Sequence, residues 1–407
     1  MEMKINMCML FELRYDPRML VTPQIGVVRY ITNFGHDVTW VLPSEGAKEV
    51  RKETLEGVSV FTVPYRSGKG LMEYVNKTVY AFKRARFVSG LFKQEQYNMV
   101  FAGDCIFDTL LALHIKRRYS LPFVLELGNP VEQDGEFHKV YHSNHKHLWQ
   151  LISKINVYLL MHALRNADLV LPISKWLKED FIKKGIEASK ILPLPEGMDA
   201  DRFSDADGDT IRRQYNLDGS GVVVYVGTMD KMRHLDTLIH AISEVKKSEK
   251  RVKLLMVGDG NDKTDLERLA RELGIGDDVV FTGQVYSDEV PNFIAAADIG
   301  VSPVPPFDFY KFSSPIKLFE YMAVRKPVVA NKEIPEHDEV IRKSGCGVLV
   351  QFTGESFAEG IIKLLDDPEM AEEMGEKGYK WGVTNRSYET TARGVEKRCL
   401  GLLKDSI

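Results

Sequence analysis

No stretch of this 407-residue chain approaches the roughly 18 consecutive apolar residues that a membrane-crossing helix requires. The opening MEMKINMCMLFELRYDPR meets Glu12 and Arg14 before a long apolar run can form, which argues against a signal peptide or an N-terminal span. Cysteine is scarce. Cys8, Cys105, Cys346 and Cys399 lie far apart with no CxxC pair, so neither a zinc site nor a disulfide framework is expected, and a reducing cytoplasm is. An excess of one charge is lacking too: 54 Lys and Arg stand against 58 Asp and Glu, which carries no nucleic-acid signature. No G-x-G-x-x-G opens a helix and no G-x-x-x-x-G-K-S/T occurs. Those two absences set aside the usual nicotinamide and flavin enzymes and the P-loop nucleotide hydrolases. No repeat of solenoid length is present.

What is there is length and regular alternation. At 44% hydrophobic content the chain exceeds one ordinary core and suits two domains of roughly 200 residues each. Residues 1–200 hold 26 Lys and Arg against 22 Asp and Glu, leaving 28 against 36 beyond, so the first half is mildly basic and the second acidic. Short apolar runs alternate with helical patterns, the signature of an α/β chain whose parallel sheets are covered by helices on both faces. Strands are expected at Lys4–Leu10, Asp37–Leu42, Val58–Val63, Met99–Gly103, Phe123–Leu127 and Leu169–Ile173. The second half repeats the scheme at Val222–Val226, Val252–Val257, Val279–Thr282, Ile299–Pro303, Val328–Ala330 and Gly347–Val350. A helix from about Thr22, with Ile25, Val28 and Ile31 on one side, stops at Gly35. Pro, Gly and Asp cluster over Pro193–Asp209, which divides the chain into domains at 1–195 and 205–385. The tail beyond Asp366 reads as helical, and its last segment, about 386–407, is expected to pack back on the first domain.

Ser313 to Val329, SSPIKLFEYMAVRKPVV, is the most informative stretch. Ser314 is placed to cap a helix and Pro315 to be its first residue, so free N–H groups and the positive dipole end point at whatever lies above Ser313. Lys317 adds a full charge one turn in, and Glu320 shares its side of the helix, where a ribose diol can meet both carboxylate oxygens. In VYVGTMDKMRHLDTLI, Gly227 lets the backbone approach a ligand where strand turns to helix. Arg233 could grip a diphosphate bidentately there, and Lys231 reads more readily as a solvated loop charge. VGDGND, Val257 to Asp262, is either a ligand loop at the sheet's carboxyl edge or simply a turn. His138, His142, His145 and His147 cluster before an amphipathic helix, Leu148–Leu164, but no Cys or carboxylate joins them at ligand spacing, so the metal reading is rejected. That helix, and the basic, apolar stretch Lys77–Lys93, read either as ordinary packed helices or as a surface for a lipid head group or anionic acceptor.

Taken in order, these pieces resemble the retaining nucleotide-sugar glycosyltransferases of family four, which have the GT-B fold. The resemblance runs nearly end to end: DPR at Asp16–Arg18, GHDV at Gly35–Val38, NADLVLPISKWLKEDF at Asn166–Phe181, LPEGMDADRF at Leu194–Phe203, then VGTMDKMRHLDTLI, VGDG, VVFTGQV, AAADIGVSP and SSPIKLFEYMAVRKPVV. It implies two Rossmann-like, doubly wound domains facing each other across a cleft, the second binding the donor and the first the acceptor. It implies Arg233 and Lys317 as catalytic groups at the diphosphate, and Gly227, Thr228, Gly258, Asp259, Gly260, Ser313, Ser314, Leu318 and Glu320 as donor-binding positions, with Glu320 on the ribose. Thr228 stands where the family usually has Arg. Transfer with retention is implied, with no metal and no cofactor beyond the nucleotide-sugar co-substrate.

Two departures accompany the resemblance. The family's E-x7-E pattern, which usually addresses the sugar's hydroxyls, has Phe312 at its first position. The His often found after the fifth strand is missing from LELGNPVEQDG, which leaves Glu126, Asn129, Glu132 and Asp134 as polar candidates on the acceptor side. A sugar transferase is the leading expectation, in polysaccharide, glycolipid or glycoprotein-glycan synthesis; a nucleotide-sugar epimerase and a non-catalytic subunit of the same architecture are the alternatives. A lipid-linked or anionic acceptor, a cytoplasmic location and peripheral contact with the membrane's inner face complete the expectations, beside a soluble-metabolite acceptor.

Overall fold

The computed structural model describes residues 3–11, 23–45, 47–55, 57–68, 71–132 and 146–405. Glu12, Arg14, the Asp16–Arg18 motif, the helix start at Thr22, Asp134, His138, His142 and His145 lie outside the described residues, as do the side chains of Ile25 and His147. The chain divides into two compact units, Met1–Pro195 with Glu389–Ile407, and Glu196–Tyr388.

Unit one is a seven-stranded sheet in the order β3-β4-β2-β1-β5-β6-β7. The strands are β1 Asn6–Leu10, β2 Asp37–Glu45, β3 Arg51–Leu55, β4 Val58–Tyr65, β5 Met99–Ala102, β6 Phe123–Leu127 and β7 Leu169–Pro172. β1, β5, β6 and β7 are almost wholly buried apolar runs, as strands covered on both faces must be. β3, RKETL, has no counterpart among the expected strands. It pairs antiparallel with β4 at the sheet edge and shows its charged residues to solvent, so it has no apolar run to betray it.

Helices α1 Pro23–Asn33, α2 Leu71–Gln94, α3 Ile106–Tyr119 and α4 Lys146–Asn166 lie between these strands, and α5 Lys175–Lys183 follows β7. The crossovers β4 to β5, β5 to β6 and β6 to β7 all advance in one direction across the sheet, so right-handed connections put α2, α3 and α4 on one face. α1 crosses the other way and lies on the opposite face, beside the C-terminal helix Tyr388–Asp405. Glu396 Oε1 there lies 2.8 Å from His36 Nε2, and the Arg393 guanidinium sits 4.3 Å from the centre of the Phe34 ring. Inside the unit, Arg84 of α2 pairs with Asp108 of α3, both buried, and donates a hydrogen bond at 3.0 Å to the Phe11 carbonyl just past β1.

Unit two is a six-stranded, wholly parallel sheet in the order β10-β9-β8-β11-β12-β13. β8 is Gly221–Val226, β9 Val252–Val257, β10 Val279–Gly283, β11 Ile299–Ser302, β12 Val328–Asn331 and β13 Gly347–Val350. All six fall within a residue of the expected runs. The chain winds outward from β8 through β9 to β10, then returns to start the other half at β11. The strand order therefore reverses between β8 and β11, where the loops leaving their carboxyl ends separate and open a crevice.

Candidate functional site

The residues singled out in unit two converge on that crevice. Gly227 follows β8 at φ +144° and Gly258 follows β9 at φ +134°, a backbone region that side-chain-bearing residues rarely adopt. A Cβ on Gly258 would lie 2.1 Å from the Gly227 carbonyl oxygen. The two loops are thus packed backbone to backbone, tied by Gly227 N–H to Val257 O at 2.9 Å and Met229 N–H to Asp259 O at 2.9 Å. Asp259 also accepts from the Gly260 N–H at 2.8 Å, so the Gly-Asp-Gly turn is a tight brace for the Gly227 loop and its carboxylate is partly committed to its own backbone.

On this floor stand the cations. A Cβ on Gly227 would come within 3.1 Å of Lys317 Nζ, which places that ammonium directly against the loop. It lies 5.3 Å from the Tyr225 ring centre. Arg233 reaches the same spot from the short helical turn Lys231–Arg233, its Nε donating to Thr228 Oγ1 at 2.8 Å. Loss of water and the nearby Arg233 push the Lys317 ammonium down to about 7, with Glu320 opposing. Arg233 beside Lys317 makes this a site of positive charge. Lys231 does not join it: its Nζ pairs with Asp265 at 2.9 Å on an exposed surface.

The helix that carries Lys317 and Glu320 runs Ile316–Ala323, one residue later than the sequence suggests. Pro315 occupies the cap position, and Ser314 does not cap. The Ser314 hydroxyl accepts from the Glu196 N–H at 3.0 Å and donates to Glu336 Oε1 at 3.2 Å, partners that outcompete the helix N–H groups. Ser313 likewise spends its hydroxyl on the Tyr310 carbonyl at 2.6 Å. Leu318 is fully buried in the core with Phe319, Tyr321 and Met322, so its side chain packs there. Glu320 is only 7% exposed. Burial pushes its carboxyl up, while Arg202 and Lys317 draw it back toward the ionised form, and none of the described residues hydrogen-bonds it. Phe312, at the position of the family's other carboxylate, ends the helical turn Asp308–Phe312 half-buried.

Sequence reasoning missed the support beneath this helix. Arg386 bridges the buried Glu336 carboxylate and the Glu196 carbonyl, the latter at 3.0 Å, and its guanidinium sits 5.1 Å from the Phe319 ring centre. Tyr388 donates to Glu196 Oε2 at 3.2 Å. Glu196 stands inside the recognised LPEGM stretch, but its partners are 118 to 192 residues away, and no local pattern announces them. His337 is buried, donating from Nδ1 to the Asn331 carbonyl at 3.1 Å and facing Ser302 Oγ at 3.0 Å from Nε2; burial pushes it down to about 4, so it is a neutral structural imidazole. Among the described residues, no three His, Cys, Asp or Glu side chains are grouped to hold a metal ion.

Comparison with known proteins places this geometry. The model of the family described as Glycosyl transferases group 1 matches residues 207–381, and that of Glycosyltransferase Family 4 matches 26–202. The chain is 28% identical over 221 residues to alpha-D-kanosaminyltransferase of Streptomyces kanamyceticus, covering 53% of this chain and 55% of that protein. It is 27% identical over 275 residues to the GDP-mannose-dependent alpha-(1-6)-phosphatidylinositol monomannoside mannosyltransferase of Mycolicibacterium smegmatis, covering 65% and 71% respectively. The matched stretch thus spans about half the length of the first relative. In fold, the chain superposes on sucrose-phosphate synthase from Thermosynechococcus elongatus with a TM-score of 0.76 at 16% identity, over 98% of this chain and 100% of that one. With one family model on each unit and this fold throughout, the chain belongs to glycosyltransferase family four and has the GT-B fold.

Proposed function

We propose that the chain transfers a sugar from a nucleotide-diphosphate sugar to an acceptor with retention at the anomeric carbon. The observation that carries this reading is Glu320: a nearly buried carboxylate, without a hydrogen bond from the described residues, one helical turn from an ammonium held against a glycine loop. A buried carboxylate in that state calls for donors such as a ribose diol. Lys317 and Arg233 then face the diphosphate, and the charge that builds on it as the sugar leaves is met by both. Gly227, Thr228, Gly258, Asp259, Gly260 and Ser313 supply the backbone and small groups that let the nucleotide lie close. The reading requires no metal or further cofactor, because these cations already stand where the leaving group develops charge. Phe312 offers the sugar no hydroxyl-reading group, so sugar identity is set elsewhere. On the acceptor side the reading favours a lipid-linked or anionic substrate met at the inner face of a membrane.

Isothermal titration with UDP, GDP and ADP tests it. At least one should bind, and Glu320→Ala should weaken it by about tenfold or more, the loss of a charge-assisted hydrogen bond. Failure of all three nucleotides, or an unchanged affinity in Glu320→Ala, overturns the reading.

A further inference from the structure

The outer surface of α2, α3 and α4 has a composition that their role as sheet cover does not explain. Met72, Val75, Val79 and Phe82 form one stripe along the first half of α2, and Phe82 is 74% exposed. Leu151, Ile155 and Tyr158 form another on α4, with Tyr158 at 69%, and Phe107 stands exposed on the first turn of α3 between them. The three helices pack side by side on one face of the sheet, so these residues belong to one surface. A soluble surface scatters its large apolar groups singly; a concentration of this kind marks a contact.

Charge decides with what. Together the three helices hold eleven Lys and Arg against two acidic residues, Glu73 and Asp108, and Asp108 is buried against Arg84. In a chain of net charge −4 they therefore carry +9, leaving −13 for everything else. Lys83, Arg86 and Lys93 continue the exposed face of α2 beyond Phe82, and Arg117, Arg118 and Arg165 do the same for the later turns of α3 and α4. Pairing this face with a second copy of itself would set its exposed Lys and Arg side chains against their like, so self-association by this surface is disfavoured. No helix among the described residues is long and apolar enough to cross a membrane.

We infer that the α2–α3–α4 face docks on an anionic lipid bilayer, its apolar first turns entering the head-group region and its basic later turns meeting lipid phosphates. The direction is informative. Helices of a parallel sheet begin at its carboxyl edge, where such sheets bind ligands, so the apolar end of the surface lies beside the edge at which an acceptor would be presented. A lipid-linked acceptor can then keep its chains in the bilayer while its head reaches unit one. This rests on the lipid-linked acceptor proposed above and is independent of the donor chemistry.

Co-sedimentation with vesicles of phosphatidylcholine alone, and with about one third phosphatidylglycerol, tests it at low and high salt. The protein should partition onto the anionic vesicles and not the neutral ones, more weakly at high salt. Phe82→Ser with Tyr158→Ser, and separately Lys83→Glu with Arg86→Glu, should each lower the partition by about tenfold or more. Nucleotide titration of the same samples should be unchanged, which keeps a failed surface distinct from a failed donor site, and scanning calorimetry should show both unfolding transitions retained, which shows that unit one of the variants is folded. No partition onto anionic vesicles, or partition unchanged in both pairs of variants, overturns the inference. So does a concentration-dependent dimer in sedimentation velocity that the same substitutions abolish.

Discussion

Lys317 is the residue whose chemistry can be read most directly, because its environment sets a sign. Desolvation and Arg233 favour its neutral form in the free protein, pulling it down to about 7. A bound diphosphate favours the charged form and pushes the value back up. Below about 7 the ammonium is charged in both states and binding is independent of pH. Above it the free protein has lost the proton and the complex keeps it, so binding takes one up and affinity falls with rising pH, at most about tenfold per unit. A nucleotide-sugar diphosphate is a diester with no proton that titrates near neutrality, so the effect belongs to the protein. Calorimetry near pH 8 in buffers of different ionisation enthalpy should register uptake of up to one proton per donor bound, and Lys317→Met should abolish it. Uptake that persists in Lys317→Met would assign the proton to another group.

The helix Ile316–Ala323 shows how an element is held by residues that no local pattern connects to it. Its entry residue Ser314 leans on Glu336, and Glu336 is neutralised by Arg386. Burial pushes the Glu336 carboxyl up and Arg386 opposes, so removing the guanidinium strands a buried acid. Arg386→Met is expected to destabilise the chain by about 3–5 kcal/mol, and adding Glu336→Met should restore most of it, because the orphaned group is then gone. Urea unfolding of wild type, both single variants and the double variant measures the coupling. The sequence made this helix visible through its apolar face and its Ser-Pro start, just as the buried runs made twelve strands visible. The cap position and the network were hidden because both depend on chain segments that are distant in sequence. β3 was hidden for the opposite reason: its charged edge position removes the apolar signal. At the site, the glycines, Arg233, Lys317 and Glu320 were legible from residue type and order, whereas the packing role of Leu318 follows from which side of the helix meets the core.

At the scale of the whole molecule, each unit has its own sheet and core, yet the chain is not cut once between them: Glu389–Ile407 belongs to unit one. The C-terminal helix commits Ala392, Val395, Cys399 and Leu403 to the interior. It adds the 2.8 Å contact of Glu396 with the His36 ring and the Arg393 guanidinium over Phe34. Each buried aliphatic side chain contributes about 1.5–3 kcal/mol, so Val395 and Leu403 alone represent a large part of the roughly 5–15 kcal/mol that holds a typical domain together. A chain ended after Tyr388 should therefore lose unit one selectively. Unit two, Glu196–Tyr388, keeps every residue of its sheet and of the Arg386 network. Unfolding of the intact chain need not be two-state, since two cores are present. Differential scanning calorimetry should show the truncated chain keeping one transition near its original temperature while the other falls sharply or disappears, and nucleotide titration should still detect binding. A uniform fall of both transitions, or loss of nucleotide binding with the helix, would mean that the two cores do not fold independently.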